Sequence, residues 1–586
     1  MKNLIQSLLL FFLFISFTAS SSIDENEKFL SFLEKEWQWE LAQNPVYATA
    51  MGVKGFETQW PDNSLKGIKL REAHIQDSFV ELKKFDPNSL NKTNQLNLRL
   101  YTQLTQTALS ISEYNRYLFP FNHRGGVQLA HEAVESLPLN TAEDYRFWIE
   151  RLKNLDKRIE RTISVARLGL EKNYKAPRVL MERVYRQIKI QSKQNIEDNP
   201  FYKVFKELPS TIPLEEQKAL RKDARKTIKE EIIPSYKLLE DFFKTEYLPQ
   251  TRLTVGLYDT PKGKELYEQL AKSFTTTNLT PKEIHNIGLG EVARIRGEME
   301  EVIKEVKFEG TFKEFLVFLR EDKRFYYDNP EELFEGYLAV TKRIDPELVS
   351  LFGKLPRTPY GLRPIPIESA PDTTTAYYMP PAPGGLRPGY YYVNLYKPET
   401  RPKFEMEVLS VHEAVPGHQL QISLALEKED MPMFRRVSPY TAFVEGWGLY
   451  SESLGYELGL YKDPYSKFGQ LTYDMWRAVR LVVDTGMHYF EWERQEAIDY
   501  FLENAGKSEL DIINEIDRYI VMPGQALAYK IGQMKFLALK RKAQEELGNQ
   551  FDVRKFHDVV LGEGALPLNE LDALVEDYIQ LEREKN

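Results

Sequence analysis

The chain has 586 residues, of which 42% are hydrophobic and 28% charged, a composition typical of globular proteins that excludes a disordered or fibrous chain. Its formal net charge of −9 at pH 7 excludes the broad positive field that attracts nucleic acid, so we expect no nucleic-acid partner. It contains no cysteine, and we therefore expect no disulfide, no thiolate ligand and no lipidated cysteine. Any metal site must be built from His, Asp and Glu.

Residues 1–21 are predicted to be a signal peptide. Lys2 precedes an apolar run over residues 4–17, and small residues at positions 19–22 offer a cleavage site. This run is shorter than the roughly 20 residues that a membrane span needs, although an uncleaved anchor is the alternative. We predict an exported protein, periplasmic or extracellular, with no other stable membrane insertion.

The remaining chain is predicted to be mostly α-helical. Apolar residues recur at spacings of three and four from residue 27 to about residue 270, and again after Phe404. Thr280, as a cap, and the proline after it predict the start of a long helix that runs to about residue 307.

A segment of different amino-acid composition separates these helical regions. Residues 356–402 are rich in proline, glycine and tyrosine, and residues 389–396 within them have strand propensity. The sequence therefore predicts an N-terminal helical half over residues 22–270 and a catalytic helical half over residues 271–586. One small sheet belongs to the second half, and we expect the two halves to form one intertwined unit.

The most informative stretch is His412-Glu413-Ala-Val-Pro-Gly-His418. In the common zinc-peptidase motif the histidines are four residues apart, about 40° around a helix, and the glutamate beside the first is the general base. Here they are six apart, which corresponds to roughly 120° on a regular helix. Pro416 and Gly417 predict a bulge that returns His418 to the face of His412. Two ordinary polar histidines are the alternative.

A third ligand is predicted 27 residues after His418. Glu445 lies in the apolar helical run over residues 441–452, where an unpaired charge would be costly. A carboxylate there would complete a site of two histidines and one glutamate, the set that catalytic zinc uses. A capping or salt-bridged glutamate is the alternative. Glu452, two turns further on, is predicted to contact a ligand histidine without binding the metal itself.

The first four residues of the motif are not sufficient to predict a metal site, because they occur twice in the chain. His131-Glu132-Ala-Val repeats them, yet no histidine follows within the next turns. We expect no metal at this second His-Glu pair.

These motifs resemble a large bacterial family of exported zincin-like proteins, whose signatures are His-Glu-Ala-x-Pro-Gly-His and Glu-Gly-Trp-x-Leu-Tyr-x-Glu. Further resemblance extends over nearly the whole mature chain, at residues 275–285, 387–394, 477–488 and 518–529. More distantly, the sequence is similar to gluzincin peptidases such as angiotensin-converting enzyme, Taq-type carboxypeptidases and thimet-like oligopeptidases. The resemblance implies a mostly α fold, an elongated two-half helical shell around a deep channel, with a small antiparallel sheet near the zinc helix.

The resemblance also implies roles for individual residues. Its Zn²⁺ ligands would be His412, His418 and Glu445, with Glu413 as the base. Such sites add a tyrosine, and often a histidine, that donates to the oxyanion. Candidates for these donors are Tyr519 as the first choice, Tyr529 as the alternative and His488 as the second donor. Each tyrosine can equally be an amphipathic core residue.

Residues 387–394 resemble the edge strand on which such peptidases lay an extended substrate. Strand addition supplies main-chain hydrogen bonds without demanding a particular side chain. The substrate-binding candidates on this strand are Arg387, Tyr391 and Asn394. An ordinary edge strand flanked by prolines is the alternative.

Arg477 and Arg480 are candidates for binding the C-terminal carboxylate of a substrate, because a guanidinium matches a carboxylate with two parallel hydrogen bonds. The alternative, which we favour slightly, is that they pair with Asp474 or Asp484 nearby in sequence.

The leading hypothesis is a zinc metallopeptidase that acts on short peptides. One alternative is a zinc-dependent amidase or esterase on small amides, and another is a catalytically inactive binding protein with the same fold. The sequence contains neither a Gly-x-Ser-x-Gly nucleophile elbow nor a phosphate-binding loop.

Overall fold

The computed structural model describes residues 24–193, 195–367, 370–372, 374–382, 387–437 and 440–585. The predicted signal peptide lies outside these residues. Within the described part, no helix is long and apolar enough to cross a membrane.

The mostly α fold is confirmed, with helices throughout both predicted halves. The helices before residue 280 are α1 (Glu25–Gln43), α2 (Pro45–Ala50), α3 (Leu65–Leu82), α4 (Lys92–Ser112), α5 (Ala142–Leu152), α6 (Leu155–Glu171), α7 (Arg178–Gln191), α8 (Lys203–Lys206), α9 (Leu214–Thr227), α10 (Ile233–Phe242) and α11 (Gly263–Thr275). Those after it are α12 (Pro281–Glu305), α13 (Phe312–Glu321), α14 (Pro330–Ile344), α15 (Leu348–Leu351), α16 (Met406–Glu413), α17 (His418–Leu426), α18 (Met433–Arg436), α19 (Thr441–Leu454), α20 (Pro464–His488), α21 (Arg494–Asn504), α22 (Glu509–Val521), α23 (Leu527–Leu547), α24 (Val553–Gly562) and α25 (Leu568–Glu584).

The long helix α12 begins where the sequence predicted it. The Thr280 hydroxyl accepts a hydrogen bond from the Glu283 amide at 3.2 Å, and the Glu283 carboxylate accepts one from the Thr280 amide at 2.8 Å. This reciprocal pair satisfies two of the amides that a helix start leaves unbonded.

The small sheet consists of β1 (Tyr360–Pro364), β2 (Ala376–Met379) and β3 (Gly389–Val393), in the order β1-β3-β2. β3 is parallel to β1 and antiparallel to β2. The sheet is therefore mixed, and the prediction of an antiparallel sheet is wrong. The predicted strand is present as β3, but it is the central strand, so it has no free edge to offer a substrate.

The two predicted halves share their core. One cluster of buried side chains includes both Phe121 from the N-terminal half and Tyr519 from the C-terminal half. The predicted boundary after residue 270 falls inside α11. Among the helix pairs, α12 packs extensively against α20 and α19 against α23.

Glycines set the distance between α19 and α23. A Cβ atom on Gly446 would lie 2.5 Å from the Cα of Gly532, closer than any real Cβ contact. The two backbones therefore touch at this point, and α19 is held at a fixed depth.

We expect Gly446→Ala to lower the free energy of unfolding by about 1–3 kcal/mol, because the new methyl group overpacks the contact with Gly532. Gly290→Ala in α12 is the control, since its Cβ would meet nothing within 4 Å. That change should stabilise the chain by about 0.4–1 kcal/mol. Chemical denaturation measures both, and equal stabilities of the two variants would contradict the close contact.

Candidate metal centre

The two histidines of the motif lie at the junction of two helices. α16 ends at Glu413, and α17 begins at His418 after a segment in which Gly417 has a ψ of −128°. A Cβ on Gly417 would lie 1.9 Å from the carbonyl oxygen of His412, so only glycine fits there. The predicted bulge is thus a complete break between helices. It brings the imidazole rings of His412 and His418 to a centroid distance of 4.7 Å.

Glu445 completes a cluster with these histidines. One potential ligand atom from each of the three residues lies within 4.8 Å of the other two, and no other such group of His, Asp and Glu occurs among the described residues. The Glu445 Oε2 atom lies 3.9 Å from His412 Nε2 and 3.5 Å from His418 Nε2. Two ligand atoms about 2.0–2.1 Å from a tetrahedral zinc are about 3.4 Å apart. The three donors therefore fit one zinc ion.

The protonation tendencies of the cluster suit a cation. Burial, together with the nearby His418, lowers the pKa of His412 well below its usual value, so its imidazole is neutral. Burial opposes a charge on His418, but hydrogen bonding and charge from Glu445 raise its pKa overall. Burial likewise opposes a charge on Glu445, yet the bond to His418 lowers its pKa overall. A carboxylate that draws a proton to His418 would also attract a metal ion.

Two residues of α19, Glu452 and Gly448, position the His412 ring. The Glu452 Oε1 atom lies 2.8 Å from His412 Nδ1, which leaves Nε2 directed towards Glu445. Burial raises the pKa of Glu452 to about 8. Gly448 gives the ring its room, since a Cβ there would lie 2.8 Å from His412 Cε1. The sequence predicted Glu452 behind a ligand histidine but missed the role of Gly448.

The helix junction is also tied to α19. The Trp447 indole N–H donates to the carbonyl oxygen of Pro416 at 2.8 Å. Each residue of the Glu-Gly-Trp-Gly segment thus has its own contact. Glu445 is a potential metal ligand, Gly446 allows α19 to touch α23, Trp447 binds the helix junction, and Gly448 leaves room for the His412 ring. This explains in physical terms why these residue types occur together.

Glu413 lies beside the cluster at the end of α16. Its side chain is partly buried, and burial raises its pKa. The backbone N–H of Tyr378 on β2 lies near its carboxylate and partly offsets this rise. The outer strand β2 and the predicted base are therefore neighbours, which the sequence did not reveal.

The two candidate tyrosines occupy different environments. The Tyr519 side chain is fully buried, and its hydroxyl donates to Glu515 at 2.7 Å and accepts from the Arg480 Nε atom at 2.8 Å. Tyr529 is only partly buried, and its hydroxyl lies near Glu445, where it helps to lower the pKa of that carboxyl. The geometry therefore favours Tyr529, the alternative choice, as a donor to substrate, whereas Tyr519 is committed to a structural network.

His488 is not available as a second donor. Its Nδ1 atom accepts from the amide of Leu257 at 3.1 Å, and its Nε2 lies 3.0 Å from the carbonyl oxygen of Tyr519. Both ring nitrogens are engaged with backbone in a fully buried position. The predicted role for His488 is wrong, because no N–H remains for an oxyanion.

Arg477 and Arg480 are buried and have carboxylate partners. The Arg477 Nη2 atom lies 3.4 Å from Glu452 Oε1, so this arginine also supports the residue behind His412. The Arg480 Nη2 atom lies 3.1 Å from Glu515 Oε2 on α22.

The predicted aspartate partners of these arginines are wrong. The Asp474 carboxylate pairs with the Lys530 ammonium at 2.7 Å, and the Asp484 carboxylate accepts from the Tyr267 hydroxyl at 2.6 Å. The sequence placed these acids nearby along α20, but the helix presents them to other neighbours.

The predicted substrate-binding residues of the strand are mostly structural. The Tyr391 ring is fully buried and packs edge-on against Tyr337 at 5.9 Å. The buried Asn394 side chain donates to the carbonyl oxygen of Ala370 at 2.8 Å. Neither side chain is free to bind a substrate. Arg387 is partly exposed, at the start of the same segment.

The second His-Glu pair has a different environment. The His131 Nδ1 atom lies 2.9 Å from the Gln191 side-chain nitrogen, and burial lowers the pKa of His131 to about 4. Glu132 is exposed. No potential metal-binding group includes this pair in the part of the chain that the structure describes.

Comparison with known proteins identifies the family. The chain belongs to the family described as bacterial proteins of unknown function, DUF885, whose model matches residues 45–575. It is similar to a lipoprotein candidate from Colwellia psychrerythraea, at 30% identity and a TM-score of 0.90, covering 95% of this chain and 100% of that one. A lipoprotein candidate of unknown function from Shewanella oneidensis shares the fold, at 17% identity and a TM-score of 0.68, covering 93% and 99% of the two chains. Comparison with curated proteins gives no match.

Proposed function

We propose that this member of the DUF885 family is a zinc-dependent metallopeptidase that hydrolyses short peptides. The observation that carries the proposal is the convergence of His412, His418 and Glu445 within 4.8 Å, with Glu413 beside them. Two histidines and one carboxylate are a set that catalytic zinc prefers. When bound, the ion supplies Lewis acidity to a carbonyl group and acidifies a water molecule.

Glu413 is the residue that moves the proton. Its carboxylate accepts a proton from the attacking water and later delivers it to the leaving amine nitrogen. The raised pKa that burial gives to Glu413 suits this double role, because the group must exchange its proton readily near neutral pH. The nearby N–H of Tyr378 favours the ionised carboxylate and so limits this rise.

Tyr529 is the proposed oxyanion donor. Its hydroxyl already lies at Glu445 and is partly exposed, so it can turn to a tetrahedral oxyanion of the substrate. A preorganised donor of this kind contributes about 2.7–4 kcal/mol to the transition state.

The substrate is proposed to lie along β2 rather than β3. Among the described strands β2 pairs with β3 alone, and the Tyr378 N–H points to Glu413. The free edge of β2 therefore faces the cluster, and an extended peptide added there would pass beside Glu413. Main-chain pairing would make binding tolerant of substrate sequence.

Incubation of the purified, zinc-loaded protein with a peptide library, read by mass spectrometry, tests the proposal. We expect cleavage of peptide bonds that a chelator abolishes and added Zn²⁺ restores. Hydrolysis of small esters and amides without any peptide cleavage would instead support the amidase alternative. Full activity in the presence of the chelator would refute the role of the metal.

We also propose that the protein is exported. The charged and apolar pattern of residues 1–21 supports this, as do the neighbours described as lipoprotein candidates. N-terminal sequencing of the mature protein should begin near Ser21 to Ile23, whereas a start at Met1 would indicate an anchor.

A further inference from the structure

A surplus of positive charge lies next to the metal cluster. Arg480 and Arg518 are 6% and 7% exposed, and their Nη2 atoms lie 3.1 and 3.0 Å from the same Glu515 carboxylate oxygen. Glu445 is a second carboxylate near Arg480, and the charge of Arg480 lowers its pKa, but Glu445 belongs to the metal cluster. Glu515 is therefore the one carboxylate that both guanidinium groups share, and buried charge that is only partly paired is costly, so this arrangement favours the arrival of an anion.

One hydrogen-bond donor of Arg480 is unpaired in the described part of the chain. Its Nε binds the Tyr519 hydroxyl and its Nη2 binds Glu515, but its buried Nη1 has no partner among the described residues. The guanidinium lies 4.3 Å from the ring centroid of Tyr529, whose hydroxyl contacts Glu445. The unused donor is therefore separated from the metal cluster by one tyrosine.

A polar strip continues from this tyrosine to Arg518. The Gln525 Oε1 atom accepts from Arg518 Nη1 at 2.8 Å, and its Nε2 lies 3.5 Å from the Tyr529 hydroxyl. Gln525 and Tyr529 are both partly exposed. The strip thus connects the cluster to the arginines along a surface that solvent reaches.

A third arginine approaches from the N-terminal half. Arg124 lies in a tight loop, where its amide donates to the Asn122 side chain at 2.9 Å. Burial and the nearby Arg518 lower the pKa of Arg124, whereas the nearby Glu515, Tyr529 and Glu132 raise it. Its guanidinium forms no ion pair of its own within the described residues. It therefore adds a third guanidinium group to the surroundings of Glu515 and Tyr529.

We propose that Arg480, Arg518 and Arg124 bind the C-terminal carboxylate of the peptide substrate, so that the enzyme cleaves close to a free C-terminus. This rests on the proposed peptidase function. Two successive contacts, Arg480 to Tyr529 and Tyr529 to Glu445, separate the arginines from the cluster. Since an extended residue spans about 3.3–3.6 Å, the arginines lie within a few peptide residues of the cluster. An acidic side chain offers the same carboxylate chemistry, and the experiment separates the two sources.

The test compares three versions of one N-acetylated peptide: the free acid, the C-terminal amide, and an amide whose last residue is glutamate. Hydrolysis is measured as kcat/KM, and binding is measured by calorimetry on the zinc-loaded Glu413→Gln protein. We expect the free acid to be preferred over both amides by about 100-fold or more, the effect of losing charge-assisted hydrogen bonds. Arg124→Gln should weaken binding of the acid about tenfold and leave binding of the amide unchanged.

Arg146→Gln is the matched control for Arg124→Gln. Arg146 is an exposed arginine of the same half that pairs with Glu216, and its loss should change neither acid nor amide. Equal cleavage and equal binding of the acid and the plain amide would overturn the terminal-carboxylate assignment while leaving the peptidase intact. A glutamate amide that binds as well as the acid would overturn it too, in favour of side-chain recognition. If no peptide is cleaved, the peptidase proposal fails, and acid-selective binding that depends on Arg124 still supports the arginine site.

Discussion

The Glu413→Gln variant is expected to retain its zinc, its fold and its substrate affinity but to lose about 10²- to 10⁴-fold in kcat, the usual contribution of a positioned general base. Glutamine keeps the shape of the side chain and can still accept the Tyr378 N–H, but it cannot accept a proton from water. Steady-state kinetics with metal analysis measure the effect. A change in KM alone would mean that Glu413 helps only in binding.

The chain offers its own control for this change. Glu132 follows His131 in the same His-Glu-Ala-Val sequence, but it is exposed and belongs to no metal-binding group of described residues. We expect Glu132→Gln to leave kcat nearly unchanged. Equal losses in the two variants, with both proteins folded, would contradict the assignment of the base.

The second large effect is expected at the metal donors. His412→Ala, His418→Ala and Glu445→Ala should each weaken zinc binding by more than about 100-fold, beyond the 10- to 100-fold typical of residues that only orient a ligand. Glu452→Ala should fall within that smaller range, because Glu452 contacts His412 Nδ1 rather than the cluster centre. Competition with a chromogenic chelator measures all four affinities. A larger loss at Glu452 than at Glu445 would make Glu452 the ligand.

Local patterns predicted the fold class well. The spacing of apolar residues indicated helices on both sides of the middle region, and the cap at Thr280 located the start of α12. The sheet order was not predictable, because strand pairing joins segments distant in sequence. β3 looked like an edge strand between prolines, yet it is central, since β1 and β2 both pair with it.

In the candidate site, too, local features were predictable from the sequence and contacts between distant segments were not. Residues close in sequence, such as His412 and His418, were predicted from their spacing to lie together, and the structure brings them together. The packing of α20 against α22 was not, and it decides that Arg480 binds Glu515, 35 positions away in the sequence, rather than an aspartate on its own helix. It also commits Tyr519 to that network and leaves Tyr529 at the cluster. Arg124 carries no motif, and the role proposed for it rests on its nearness to residues of the other half.

The break between α16 and α17, after Glu413, is another feature that the sequence predicted only in part. Proline and glycine predicted an irregularity, but a bulge within one helix and a break between two give the same sequence signal. The close approach of Gly417 to the His412 carbonyl oxygen distinguishes the two.

The most direct test of the metal centre is a crystal structure of the purified protein with anomalous diffraction recorded on both sides of the zinc absorption edge. We predict one strong zinc peak, bound by the Nε2 atoms of His412 and His418 and by the Glu445 carboxylate, with Glu452 outside the coordination sphere. The absence of a peak between these three residues in zinc-loaded crystals, or a zinc ion bound elsewhere, would contradict the account.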